Sequence, residues 1–255
     1  MGLLIFFTVA DTRALLHSGA FMLAKYVEGC IIKRKRRTVT MTRREFVDTY
    51  WRYYLILEER FKNITRYIEP VSNNNGVYSI DLVSQLLDIG SEIDVVMKEI
   101  SGFAQTDHKS MRDYYAPITT KYPGICNQNI TAFGEQWKPF ETWNGSKQYG
   151  NLNWWEMYNS VKHGRGDNMK LATFGMVKES LAALCLLEVM HIKTLADAEK
   201  KLDRPDFESE IFTFPDINYT YARFGNTVLE YSENPKDDVA EPDTLVLDCN
   251  NSSNC

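Results

Sequence analysis

Between Trp154 and Arg165 the chain gathers two indoles, a phenol, an amide, an imidazole and two cations in one short run, Trp154-Trp155-Glu156-Met157-Tyr158-Asn159-Ser160-Val161-Lys162-His163-Gly164-Arg165. A histidine exchanges a proton near neutrality. Two cations beside a helix N-terminus make a compact anion site, because unbonded backbone N–H groups point the same way as the charges. Gly164 and Gly166 favour a strained turn that feeds such a terminus. If the run is helical instead, Asn159 and His163, four apart, share a face. His163, Arg165, Lys162 and Asn159 are the candidate catalytic residues, and Tyr158 and Trp155 the candidate ligand contacts. The competing reading makes Trp154, Trp155 and Tyr158 core anchors, with Asn159 and His163 bonded to backbone carbonyls.

Glu92 and Asp94 are further candidate ligand-binding residues, since either could meet His163 or Arg165 across a bundle and orient it. Asp94 with Lys98 four residues on also fits a plain helix ion pair. Arg60 and Arg66 could add charge to the same cleft, although a helix-surface role suits them as well. The four histidines, His17, His108, His163 and His191, have no metal-ligand spacing, and His191 reads as a helix-edge residue. No phosphate loop, dinucleotide fingerprint, zinc-protease motif or nucleophile elbow is present, so neither cofactor nor metal is expected. Cys185 sits in an apolar stripe and reads as a small core side chain.

The elements that must position these groups are mostly helices. Phe46, Tyr50, Tyr53, Leu57, Phe61, Ile64 and Ile68 recur at three and four, with Trp51, Tyr54 and Leu55 widening the stripe, predicting a helix over 43–68. Thr42 and Glu45 supply a capping box, and Pro70 ends the helix. A second helix starts near Ser79 and ends around Ser101-Gly102. Gly90 falls on its stripe, where a glycine costs about 1 kcal/mol against alanine unless a neighbouring helix needs the close approach. A short helix around 107–115 is expected to stop before Pro117. Residues 117–150 then lose helical period, with 129–133 and 136–140 as short strands or extended cover. The strongest pattern is a helix from about Asn168 to Leu195, along Leu171, Phe174, Val177, Leu181, Leu184, Cys185, Ile192 and Leu195. Two charges interrupt it. Lys178 is expected to snorkel or pair, and Glu188 to sit at the edge of the stripe, since inside it would need a partner. Residues 219–231 contain a hairpin pattern with Gly225-Asn226 at the turn.

The predicted fold is therefore mainly α: an antiparallel helical bundle over 41–200, with the irregular insertion 117–150 and a β-hairpin-like extension over 201–232. Residues 233–255 read as a flexible acidic tail. Residues 1–40 carry seven Lys/Arg against Asp11 and Glu28, a net of +5, which leaves −10 for the rest of a chain whose total is −5. This segment, with its basic block Lys33-Arg34-Lys35-Arg36-Arg37, reads as an appendage, disordered or the product of an over-extended start. The folded body is then acidic, which argues against a broad grip on a phosphate backbone. At 255 residues, 44% hydrophobic and 25% charged, the chain has the composition of an ordinary globular protein. Its five scattered cysteines point to a reducing, cytoplasmic compartment. The apolar opening of residues 1–10 is too short to span a bilayer, and no membrane association is expected.

The Trp-Trp-x-x-Tyr-Asn-x-x-Lys-His-x-Arg element, followed by an Ala/Leu-rich helix, resembles uncharacterised bacterial and phage proteins that look like HEPN-type helical domains, over roughly residues 43–197. The resemblance implies a helical bundle, commonly a homodimer. It also implies either metal-independent RNA cleavage in defence or toxin–antitoxin systems, or mere nucleotide binding and scaffolding. The family's catalytic element is an arginine followed, after four to six residues, by a histidine. His163 matches the histidine, but Glu156, Met157 and Tyr158 stand where the arginine belongs, and Arg165 comes after. The first expectation is thus a non-catalytic interaction or nucleotide/RNA-binding module. The alternative is a metal-independent endoribonuclease using His163 with Lys162 or Arg165. A homodimer, RNA or a nucleotide, and a basic protein that meets the acidic surface are the expected partners.

Overall fold

Thr42 opens the first helix as its side chain foretells: its hydroxyl accepts from the Glu45 N–H, and the Glu45 carboxyl accepts from the Thr42 N–H at 2.8 Å. The structure, a computed structural model, describes residues 41–205 and 207–219, together with the strand backbones 221–224 and 227–230. The expected appendage 1–40, its basic block, the hairpin-turn residues 225–226 and the acidic tail lie outside the described residues.

Helix α1 runs through residues 43–65 as an α-helical start, Arg43–Phe46, a π-turn, Val47–Trp51, and a longer α-helical part, Arg52–Thr65. The π-turn corrects the expected stripe. Its extra residue rotates the next turn, so Trp51 and Tyr54, expected to widen the stripe, are fully buried while Tyr53, expected on the stripe itself, is exposed. Helix α2, Ile80–Ser101, starts on Ser79, whose hydroxyl accepts from the Leu82 N–H, and stops at Gly102 in the left-handed conformation, φ 71°. It passes unbroken through Gly90. A Cβ there would lie 2.3 Å from Cδ2 of Tyr158, so the glycine is what lets the Tyr158 ring lie on the α2 backbone.

Helix α3, Met111–Lys121, runs through Pro117 instead of stopping before it. Full burial of Met111, Tyr114 and Ile118 on one stripe offsets the lost N–H bond and the steric conflict of the proline. The irregular insertion therefore begins only after Lys121. Within it, β1, Ile130–Ala132, and β2, Glu135–Trp137, form an antiparallel pair around Phe133-Gly134. Helix α4 is Asn153–Asn168, and a 3₁₀ turn, Met169–Leu171, links it to α5, Phe174–Glu199. Backbone pairing of β3, Tyr221–Phe224, with β4, Thr227–Glu230, follows the expected register, with Phe224 opposite Thr227.

The result is a mainly helical bundle with small antiparallel β-hairpins. Helix α5 lies at its centre, packed most extensively on α2, with α1 and α4 against the same pair. One stripe of α5 is fully enclosed, from Phe174 through Leu181, Leu184 and Ile192. Lys178 is held as an ion pair with Glu135 at 2.6 Å, over the Trp137 ring. Two α5 residues expected at the stripe edge are inside it. Glu188 is fully buried, and His191 is buried with its Nδ1 2.6 Å from the Tyr122 hydroxyl and its ring edge-on to Phe46. Both lie inside because α1, α2 and Tyr122 cover α5 on flanks that one amphipathic period leaves open. Among the described residues no helix is long and apolar enough to cross a membrane.

Candidate functional site

The run from Trp154 to Arg165 is helical, not a turn before a helix. It forms most of α4, and the break in it is Gly164, at φ −147° and ψ 48°. A glycine is the usual place for such a kink. The amide of Asn168 stabilises it by donating to the Ser160 carbonyl at 3.0 Å. The long helix starts at Phe174, not near Asn168, and Thr173 caps it by accepting from the Met176 N–H. Its leading N–H groups are not open to an anion: Phe174 donates to the Val77 carbonyl at 2.7 Å and Gly175 to that of Asn75 at 3.0 Å. The anion site expected from that terminus plus Lys162 and Arg165 is not assembled.

Trp155 and Tyr158, candidate ligand contacts, are 5% and 2% exposed, packed on one another with ring centroids 4.8 Å apart. Trp154 is buried too, its indole N–H donating to the Pro139 carbonyl at 3.0 Å. Asn159 donates to the Trp155 carbonyl at 2.8 Å, an intrahelical bond, and among the described residues it makes no hydrogen bond to His163. The core-anchor reading thus describes the first half of the run.

The second half points outward. Lys162, His163 and Arg165 are exposed around the kink. The Lys162 ammonium donates to the Tyr158 hydroxyl at 3.1 Å and lies 5.2 Å from that ring's centroid, so its stem is directed while its charge stays in water. Among the described residues no side-chain hydrogen bond or ion pair engages His163 or Arg165. Asp94 does not reach them. It pairs with Lys98 at 2.6 Å and accepts from the Tyr114 hydroxyl at 2.6 Å. Arg60 is committed to Asp88 at 2.7 Å.

Glu92 behaves differently from Asp94. Burial lifts its pKa to about 7. Its counterpart on α5 is Glu188, lifted well above the carboxylate range by burial first and by Glu92 second. Both carboxyl oxygens of Glu188 are buried without a hydrogen-bond partner. The interruption of the apolar period at Glu188 was the only signal of this pair in the sequence. Burial, aided by Lys121, holds His191 down to about 3, so the imidazole is neutral. Among the described residues no three His, Cys, Asp or Glu side chains converge in a way that could hold a metal ion.

Glu58 is buried and ties the segment after α5 to α1. It accepts from the Tyr54 hydroxyl at 2.6 Å, from the Ser209 hydroxyl, and from the Glu210 N–H at 3.0 Å. Trp51 adds a bond from its indole N–H to the Phe207 carbonyl at 2.7 Å. Nothing in the local pattern around Glu58-Glu59 separates the buried acid from its exposed neighbour. Comparison of the chain with family models, curated proteins and solved structures finds no match.

Proposed function

We propose that this protein is a non-catalytic helical binding module that takes a phosphate-bearing ligand, RNA or a nucleotide, at the kink of α4. One observation carries the reading: Lys162, His163 and Arg165 stand exposed together at Gly164, while the neighbours that would orient them for acid–base work are spent on the fold. Two exposed cations and an imidazole on a rigid helix suit phosphate oxygens, and the surrounding acidic body confines that grip to a small area. The likeness to HEPN-type domains belongs to this proposal, as does a homodimer that would bring two such kinks together.

The test is fluorescence anisotropy of labelled single-stranded RNA with the wild type and the Lys162→Ala/Arg165→Ala double variant. The expected result is binding weakened by about tenfold or more, with a shallower salt dependence. Unchanged binding, or none in the wild type, overturns the proposal. The exposure of His163 favours one second reading, a metal-independent endoribonuclease in which His163 moves protons and Lys162 or Arg165 stabilises the charge growing on phosphorus. It requires RNA cleavage without divalent metal that is lost in His163→Ala.

A further inference from the structure

The β1–β2 hairpin, the chain that leaves it and the first turn of α4 border a cleft of about 550 Å³ against α5. Clefts of this size hold small molecules. Two of its charged lining residues are half-buried: Lys138, just past β2, and Glu179, on α5. A third, Glu141, is exposed. Partly burying an ion is costly, and a partner normally offsets that cost. Here none does. The cation next to Glu179 in the chain, Lys178, is committed to Glu135. Among the described residues neither Lys138 nor Glu179 makes an ion pair or a side-chain hydrogen bond, and they do not neutralise one another. The indole N–H of Trp137, a further lining residue, is buried with no acceptor.

A cleft that keeps one carboxyl and one ammonium group unpaired is complementary to a molecule carrying both opposite charges. We propose that it binds a small zwitterion of the α-amino-acid class, its ammonium group on Glu179 and its carboxylate on Lys138. A second feature suits the carboxylate. Asn153 and Trp154 line the cleft as the first residues of α4, whose N-cap Leu152 supplies no capping side chain, and among the described residues their N–H groups meet no acceptor. Burial raises the Glu179 carboxyl, with Lys178 partly opposing, which is the state of an acid awaiting a cation. The cleft and the cationic kink lie at opposite ends of α4, about 15 Å apart along the helix. The two proposals therefore stand or fall separately.

The experiment is a thermal-shift screen of the full-length protein against each of the twenty standard amino acids at millimolar concentration. At least one amino acid is expected to raise Tm, by on the order of 5 °C when present at a hundredfold excess over Kd. The shift should vanish in Glu179→Gln, weaken in Lys138→Ala and persist in Glu141→Gln. Blocking either charge of the active amino acid, as its N-acetyl or its amide derivative, should abolish the shift on the wild type. That comparison decides the matter even if Glu179→Gln fails to fold. No shift with any amino acid, a full shift in Glu179→Gln, or a full shift with the blocked derivatives overturns the proposal.

Discussion

Two buried glutamates on packed helices meet opposite fates in this bundle. Glu58 on α1 is 3% exposed and accepts three hydrogen bonds, two from hydroxyls and one from a backbone N–H. Glu188 on α5 is 0% exposed and accepts none. The difference is in what packs over each. Glu58 meets an irregular segment, 207–213, whose Glu210 N–H and Ser209 hydroxyl need acceptors. Glu188 meets helices, whose N–H groups are already bonded within their own turns, and the acid that acts on it is another carboxyl, Glu92. A buried acid thus stabilises where it satisfies neighbouring donors, and is a liability where it faces finished secondary structure.

That contrast sets the expected effects. The largest belongs to Glu58→Leu, which strands the Ser209 hydroxyl proton and the Glu210 N–H and leaves the Tyr54 hydroxyl only its longer bond to Ser209. We expect a loss of about 3–4 kcal/mol in urea unfolding, together with faster hydrogen exchange over 207–213. A loss below about 1 kcal/mol would show that the Glu58 tie is incidental.

Glu188→Met should act in the opposite direction, stabilising by about 1–3 kcal/mol near neutrality because a flexible apolar side chain of similar volume replaces an unsatisfied acid. Its pH signature is more discriminating. Glu188 and Glu92 have folded pKa values above their unfolded ones, Glu92 at about 7, so the stability they permit is full below about pH 4.5 and is lost as pH rises. His191 works the other way: held at about 3, it destabilises the fold as pH falls below its unfolded value near 6.5. Subtracting the wild-type pH–stability curve from that of Glu188→Met removes the His191 contribution. The gain should grow with pH from about 4.5 upward, and a flat difference would place a neutralising partner at Glu188. Ser209→Ala should cost less than Glu58→Leu, about 2 kcal/mol in urea unfolding, because it removes one of the three bonds to Glu58 and the acceptor of the Ile211 and Phe212 N–H groups but leaves the other two bonds to Glu58.

The helices were legible where the cause was local. Ser79 and Gly102 bound α2 at the expected ends, and the Thr42–Glu45 capping box begins α1, because capping geometry involves only a few consecutive residues. The β3–β4 pairing falls where the sequence pattern of 219–231 placed a hairpin, for the same reason. Pro117 deceived because its local penalty is outweighed by the burial of Met111, Tyr114 and Ile118, contacts made with distant parts of the chain. The candidate site was half legible. Aromatic composition correctly marked Trp154 to Tyr158 as a place of unusual packing. The direction of each side chain depended on whether the run was a turn or a helix, and Gly164 and Gly166 pointed to the wrong answer.

Residue order alone was sufficient for the helical class of this protein, since a period of 3.6 and its caps are short-range properties of the chain. Which polar groups lie inside was settled only by folding. Glu58, Glu188 and His191 sit on helices whose flanks look open until another element covers them. The cleft of Lys138 and Glu179 brings together residues 41 positions apart in the chain. Burial and cleft formation depend on which surfaces meet, and no local pattern specifies that.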